Sequence, residues 1–72
     1  MASYADMCDN ANSVNELLTF IQRCKRDMFD ILEDYGLSSD NINPDRTQPE
    51  RAYKIIEGWK EAAVEKLLKL LQ

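Results

Sequence analysis

The residues between Ser13 and Gly36 constrain the fold of this chain most strongly, because neither glycine nor proline interrupts them. Apolar side chains recur here at alternating steps of three and four residues, which is the spacing of one face of an α-helix. The members of this row are Val14, Leu17, Ile21, Cys24, Met28, Ile31 and Tyr35, with Leu18, Phe20 and Leu32 beside it. The pattern predicts one continuous amphipathic helix over residues 13–35.

Both ends of this segment carry helix boundary signals. Ser13 and Glu16 have the spacing of a capping box, in which the serine oxygen accepts a hydrogen bond from a backbone N–H group of the first turn. Gly36 follows the last apolar position, where a residue in the left-handed conformation commonly ends a helix. These local signals predict the same boundaries as the apolar row.

A second helix is predicted over residues 48–71. Thr47 and Glu50 form another capping-box pattern, and Pro49 lies in the first helical turn, where its missing N–H group is tolerated. Apolar residues then follow a helical period at Ala52, Ile56, Trp59, Ala63, Leu67 and Leu70, and the stripe is broadened by Tyr53, Ile55, Val64, Leu68 and Leu71. This stripe is wider than a contact with one other helix requires.

The remaining segments are short. Residues 1–12 are predicted to form a short helix or an arm, and residues 36–47 form a loop that contains the turn signal Asn43-Pro44. A chain of 72 residues is one domain. We therefore predict an all-α fold: a small antiparallel helical bundle built on two long helices, with a short helix at the N-terminal end.

Charge is distributed unevenly along the chain. The net charge is −4, which argues against a nucleic-acid partner because phosphate binding requires a basic surface. Residues 27–45 contain acids and no base. These acids, Asp27, Asp30, Glu33, Asp34, Asp40 and Asp45, are the predicted surface for a protein partner, and Arg23 and Arg26 supply a basic complement.

Three of these acids oppose a local rule of helix stability. Asp30, Glu33 and Asp34 fall in the last turns of the first long helix, where the helix macrodipole disfavours negative charge. Sequences tend to break local rules at functional or strained positions. This end of the molecule is therefore the predicted partner-binding end.

The chain offers little material for catalysis. It contains no histidine and no glycine-rich loop, and Cys8 and Cys24 do not form a CxxC motif. Rows of carboxylates occur on both helices, at Asp27, Asp30 and Asp34 and at Glu57, Glu61 and Glu65. An alternative is thus a Mg²⁺-dependent all-α nucleotide pyrophosphatase. The expectation is a protein without enzymatic activity, metal or cofactor.

The expected location is the cytoplasm. The first residues are acidic and lack the basic and apolar regions of a signal peptide. Uninterrupted apolar runs are far shorter than the roughly 20 residues that a membrane-spanning helix needs. No membrane association is expected, and the two thiols are expected to be reduced.

Two parts of the chain resemble a known superfamily. In the stretch from Asp27 to Ile42, the residues Met28, Ile31, Leu32, Tyr35, Gly36, Leu37 and Ile42 fall on the positions of the second helix and following turn of the death-fold superfamily. Residues 50–60, with Trp59, are similar to its fifth helix, and residues 63–71 to its sixth. This resemblance implies a compact death-like bundle in which the long helices are broken, and homotypic assembly in immune or cell-death signalling without catalysis.

The predicted function is a non-enzymatic protein–protein interaction module that binds a partner, or itself, through charged helix faces. The alternative is a small phage or bacterial inhibitor or regulatory protein that acts as a helical-hairpin homodimer. The small core and the wide apolar stripe after Ala63 favour the dimer, because a second copy would cover them.

Overall fold

A computed structural model describes residues 3–72 and contains three α-helices in that range. Helix α1 spans Tyr4–Asn10, α2 spans Val14–Tyr35 and α3 spans Gln48–Leu70, and a single 3₁₀ turn occupies Ser39–Asn41. The predicted all-α chain, with two long helices that pack together, is confirmed. Both long helices are continuous, whereas the alternative architecture required breaks within them.

The two predicted boundaries of α2 are confirmed. Ser13 Oγ accepts a hydrogen bond from the Glu16 N–H group at 3.2 Å. At the other end, Gly36 adopts the left-handed conformation with φ 61°, and its N–H group donates to the Glu33 carbonyl. The Leu37 N–H group donates to the Leu32 carbonyl at 2.9 Å, which completes a Schellman motif. Local sequence is sufficient to end this helix.

The core lies between α2 and α3 and beneath α1. Its apolar members from α2 are Leu17, Phe20, Ile21, Cys24 and Met28, those from α3 are Tyr53, Ile56 and Ala63, and the α1 region adds Cys8 and Ala11. The predicted apolar row of α2 is therefore buried in its middle only. Val14 and Tyr35, at its two ends, are 37% and 61% exposed.

Helix α1 explains why Phe20 is buried although it lies beside the apolar row. The Tyr4 ring meets the Phe20 ring edge-on, with 6.3 Å between the ring centroids. The Tyr4 hydroxyl also donates a hydrogen bond to the Asp27 carboxylate, and Lys66 Nζ of α3 donates to the Cys8 carbonyl at 2.9 Å. These contacts hold α1 across both long helices.

The connection between α2 and α3 is organised by one buried carboxylate. Glu50 has no exposed surface, and its carboxylate oxygens accept from the Arg46 guanidinium, with the shortest distance at 2.6 Å, and from the Asn43 N–H group at 2.9 Å. The Thr47 hydroxyl donates to the same carboxylate at 2.8 Å. Glu50 therefore ties the loop to the first turn of α3.

Of the two reciprocal hydrogen bonds that a capping box contains, Thr47 and Glu50 form only one. Thr47 Oγ1 accepts from the Glu50 N–H group at 3.4 Å, as the pattern requires. The Glu50 carboxylate does not act as the reciprocal cap but binds the loop, because Arg46 offers it a charge-assisted bidentate contact.

We expect the Glu50→Gln variant to be less stable at neutral pH, with a melting temperature several degrees lower. The Arg46 guanidinium and the Asn43 N–H group hold the pKa of Glu50 at about 2, below its ordinary value of 4.5. A depressed pKa stabilises the folded state above pH 4.5, and this contribution is lost as the pH falls towards about 2. The gap between wild type and variant should therefore narrow over this pH range in thermal melts followed by circular dichroism.

The matched control for this experiment is Glu65→Gln, which changes an exposed carboxylate of the same helix. Its melting temperature should track that of the wild type at every pH. A constant gap between wild type and Glu50→Gln from pH 7 to pH 2 would contradict the proposed role of the buried carboxylate.

We expect the Tyr4→Phe variant to loosen α1, because it removes the hydrogen bond to Asp27 and leaves the ring contact with Phe20 in place. The loss should be on the order of 0.5–1.5 kcal/mol in urea unfolding, which is typical of one hydrogen bond. Tyr35→Phe is the control, since the Tyr35 side chain is 61% exposed. Equal effects of the two variants would show that the Tyr4 hydroxyl does not anchor α1.

Candidate interaction surface

The predicted partner-binding acids occupy three different environments. Asp27 lies in the middle of α2, half-buried under α1. Asp30, Glu33 and Asp34 lie exposed in the last two turns of α2. Asp40 and Asp45 are exposed in the connection that follows. Asp27 therefore has a structural role, whereas the other five acids are exposed to solvent.

Asp27 and Arg23 form contacts with each other, and Asp27 also binds α1. Asp27 accepts from the Tyr4 hydroxyl and forms an ion pair with Arg23, whose Nε atom lies 3.5 Å from Oδ2. Burial and the Asp27 carboxylate together raise the pKa of Tyr4 to about 12, so the hydroxyl stays protonated as the donor. Arg23 is exposed but paired with Asp27, whereas Arg26, on the next turn, is exposed and forms no ion pair within residues 3–72.

Asp30, Glu33 and Asp34 form what we call the acidic end of α2. No lysine or arginine within residues 3–72 forms an ion pair with any of them, and the last turn of α2 contains no base. Their charges add to the negative end of the helix macrodipole, at a cost of about 0.3–1 kcal/mol each. A cationic group from another molecule would offset this repulsion.

The acidic end of α2 adjoins an apolar depression. Ile31 and Tyr35 of α2 line it together with Gln48, Pro49 and Ala52 of α3. Asp30 and Asp34 immediately precede Ile31 and Tyr35 in α2, so these acids lie within one helical turn of the residues that line the depression. The arrangement joins negative charge to a small apolar contact area.

Two exposed aromatic rings flank the acids. Phe29 is 58% exposed and lies one turn before Glu33, and Tyr35 is 61% exposed directly after Asp34. The predicted apolar row of α2 ends with Tyr35, but the ring of this residue is largely exposed. It lies beside the first turn of α3, where residues 3–72 provide no further element to cover it. Its position next to Gly36, at the end of α2, is the sequence signal that indicated weak coverage.

Asp40 and Asp45 belong to the local structure of the connection. The Asp40 N–H group donates to Ser38 Oγ at 3.4 Å, and the Asp45 N–H group donates to Asn43 Oδ1 at 2.9 Å. Both side chains are exposed. The Glu50–Arg46 pair holds this segment against α3, so both carboxylates are presented from a fixed loop.

The acids considered for a metal site do not assemble into one within the described range. Residues 3–72 contain no cluster of three or more side chains that could coordinate an ion. Glu57, the first acid of the α3 row, pairs instead with Lys54 at 3.2 Å. The pyrophosphatase alternative therefore gains no support from the placement of these carboxylates.

The thiols are free and buried. Burial is the main cause that raises the pKa of Cys24 to about 11, and the nearby Asp27 carboxylate adds to it. Because the thiolate is the nucleophile of cysteine chemistry, this position suits a packed core residue.

We expect the Cys8→Ser variant, which retains Cys24 as its one thiol, to react with a disulfide reagent at pH 8 at least roughly 100-fold more slowly in buffer than in urea. The raised pKa reduces the thiolate fraction, and burial adds a barrier to access. The progress of the reaction is read from absorbance. Equal rates in buffer and urea would show that Cys24 is accessible in the folded protein.

Comparison with other proteins does not narrow the function. No family model matches the chain, and the searches of curated proteins and of solved structures return no match. Within residues 3–72, no helix combines the length and the apolar character needed to cross a bilayer. The function is therefore inferred from the chemistry of the surface.

Proposed function

We propose that the chain is a non-enzymatic protein-interaction module that binds a basic, partly apolar segment of a partner protein at the acidic end of α2. One observation carries this proposal: Asp30, Glu33 and Asp34 are exposed, unpaired with bases of residues 3–72, and next to an apolar depression. The predicted cytoplasmic location is compatible with it and stays a prediction.

Charge supports recognition at this surface. The three acids and the C-terminal end of the helix dipole produce a negative field, and no lysine or arginine of residues 3–72 forms an ion pair with these acids. Such a field steers a basic partner, raises the association rate and makes binding sensitive to salt. The acids supply partner selection and on-rate more than affinity.

The apolar depression supplies the short-range contact that charge alone lacks. Ile31, Pro49 and Ala52 line it with apolar groups from two helices that pack together. Tyr35, at its edge, is an exposed aromatic residue of the kind that often dominates interface energies. An amphipathic segment with basic residues beside apolar ones fits this combination.

Homotypic assembly, which the death-fold resemblance implies, would use the same acids against a basic group of a second copy. Arg26 is exposed one turn before Asp30 and forms no ion pair within residues 3–72. Of the two predicted basic residues, Arg23 is paired with Asp27, so Arg26 is the one available for such a contact.

The test compares two variants of equal net charge. Asp30→Asn with Asp34→Asn removes two charges from the acidic end, and Asp9→Asn with Glu65→Gln removes two exposed charges outside it. The probe is a fluorescent helical peptide of alternating lysine and leucine pairs, and binding is followed by anisotropy at low and at high salt. We expect about a tenfold weaker affinity for the first variant and less than about a threefold change for the second.

Loss of folding would not explain this result. Removing Asp30 and Asp34 relieves their repulsion with the helix dipole, so the variant should melt at the same temperature as the wild type or slightly higher. If both variants lose affinity equally, the peptide responds to net charge alone and the acidic end is not the binding surface. Capture of partners from extracts of the native host, repeated with the same two variants, extends the test to natural ligands.

A further inference from the structure

A second surface of the molecule is apolar and lies far from the acidic end of α2. It is formed by five large side chains that are between 37% and 65% exposed: Val14 and Leu18 of α2, Val64 and Leu68 of α3, and Leu71 directly after α3. We call this set the apolar face. Isolated exposed apolar residues are ordinary, but a contiguous group of them indicates an interaction site.

The pairing of the two helices places these residues at one end of the molecule. Ile31 and Tyr35 of α2 meet Ala52 and Pro49 of α3, so the last turns of α2 lie beside the first turns of α3. Nearer the middle of the helix pair, Lys60 of α3 lies close enough to Cys24 of α2 for its positive charge to oppose the rise in the pKa of that thiol. Continuing this pairing by one and two turns brings Leu18 to the level of Lys66–Leu68.

The apolar face lies on the side opposite α1. Helix α1 contacts α2 at Phe20 and α3 at Lys66. Leu18 and Leu68 are each two residues from these positions, which is a rotation of about 200° around the helix. They therefore point away from α1, and no element of the described chain covers them.

The molecule exposes more surface than a compact monomer of its size, so it has area available for a partner. The chain exposes 5169 Å², whereas a compact monomer of 8.3 kDa exposes about 4,600 Å². Its radius of gyration is 12.9 Å, compared with about 11 Å for a compact chain of this length. The excess of about 600 Å² is close to the roughly 800 Å² that each partner buries in a stable complex.

Charge at the border of the face is complementary to a second copy of itself. Lys25 lies two turns after Leu18, and Glu61 lies two turns before Leu68, so both are on the same side as the apolar face. Both are exposed, and neither forms an ion pair within residues 3–72. A two-fold axis parallel to the helices would set α2 of one copy over α3 of the other and bring each Lys25 towards the opposite Glu61.

We propose that two copies of this chain pack through the apolar face into a closed four-helix bundle, with α1 of each copy on the outside. The arrangement is isologous, since the same patch of both copies is used and Lys25 and Glu61 exchange contacts across the axis. This inference is independent of the function proposed for the acidic end. It leaves both acidic ends uncovered, so the dimer is bivalent for partners that carry two basic segments.

The test measures the mass of the full chain over a concentration series by sedimentation equilibrium. We expect a species of twice 8.3 kDa and a melting temperature that rises with concentration. Leu68→Glu should give a folded monomer with an unchanged helical spectrum. Ile55→Glu is the matched control, because both side chains belong to α3 and are 54% exposed, and it should remain dimeric.

The charge pair provides a second readout that a merely destabilised fold would not mimic. Lys25→Glu and Glu61→Lys should each weaken the dimer about tenfold, and the double variant should recover most of the lost affinity. A wild-type chain that is monomeric at all concentrations overturns the proposal and assigns the face to a different partner. Filaments, or a dimer that Ile55→Glu disrupts as strongly as Leu68→Glu, overturn it as well.

Discussion

Leu17 and Cys24 of α2 and Ala63 of α3 have no exposed surface, and the rest of the structure depends on the helix contact that they form. Two of the three side chains are small, so the helices can approach each other closely but bury little apolar area between them. Helix α1 compensates for part of this by covering Phe20 with Tyr4. The result is a thin molecule, with principal extents of 37 × 27 × 19 Å. Within residues 3–72, α1 covers one side of the helix pair, and no helix covers the other side.

The connection between the long helices fixes how the start of α3 lies against the acidic end of α2. Glu50 takes Arg46, Asn43 and Thr47 as partners and so fixes where α3 begins relative to the end of α2. This placement forms the apolar depression between Ile31, Tyr35, Pro49 and Ala52 and leaves the Tyr35 ring exposed. A buried carboxylate with hydrogen-bond partners in the connection thereby shapes the surface where we propose that a partner binds.

The two proposed surfaces differ in chemistry and in position. The acidic end of α2 presents charge that opposes its own helix, and the apolar face presents side chains that water solvates poorly. They lie at opposite ends of the helix pair, so one can be occupied while the other stays free. In this arrangement self-association supplies stability to a small core, and the charged ends supply recognition.

The sequence by itself determined the two long helices, because periodicity, the Ser13 cap and the Gly36 stop act within a few residues. It left open whether residues 1–12 form a helix or an arm. It also indicated the exposure of Asp30, Glu33 and Asp34, since the apolar row leaves them outside the core. Only the tertiary structure decided that Phe20 is buried, that Tyr35 is exposed and that Asp27 anchors α1. Each of these outcomes depends on which distant segment packs at that position, and neither helical period nor capping pattern contains that information.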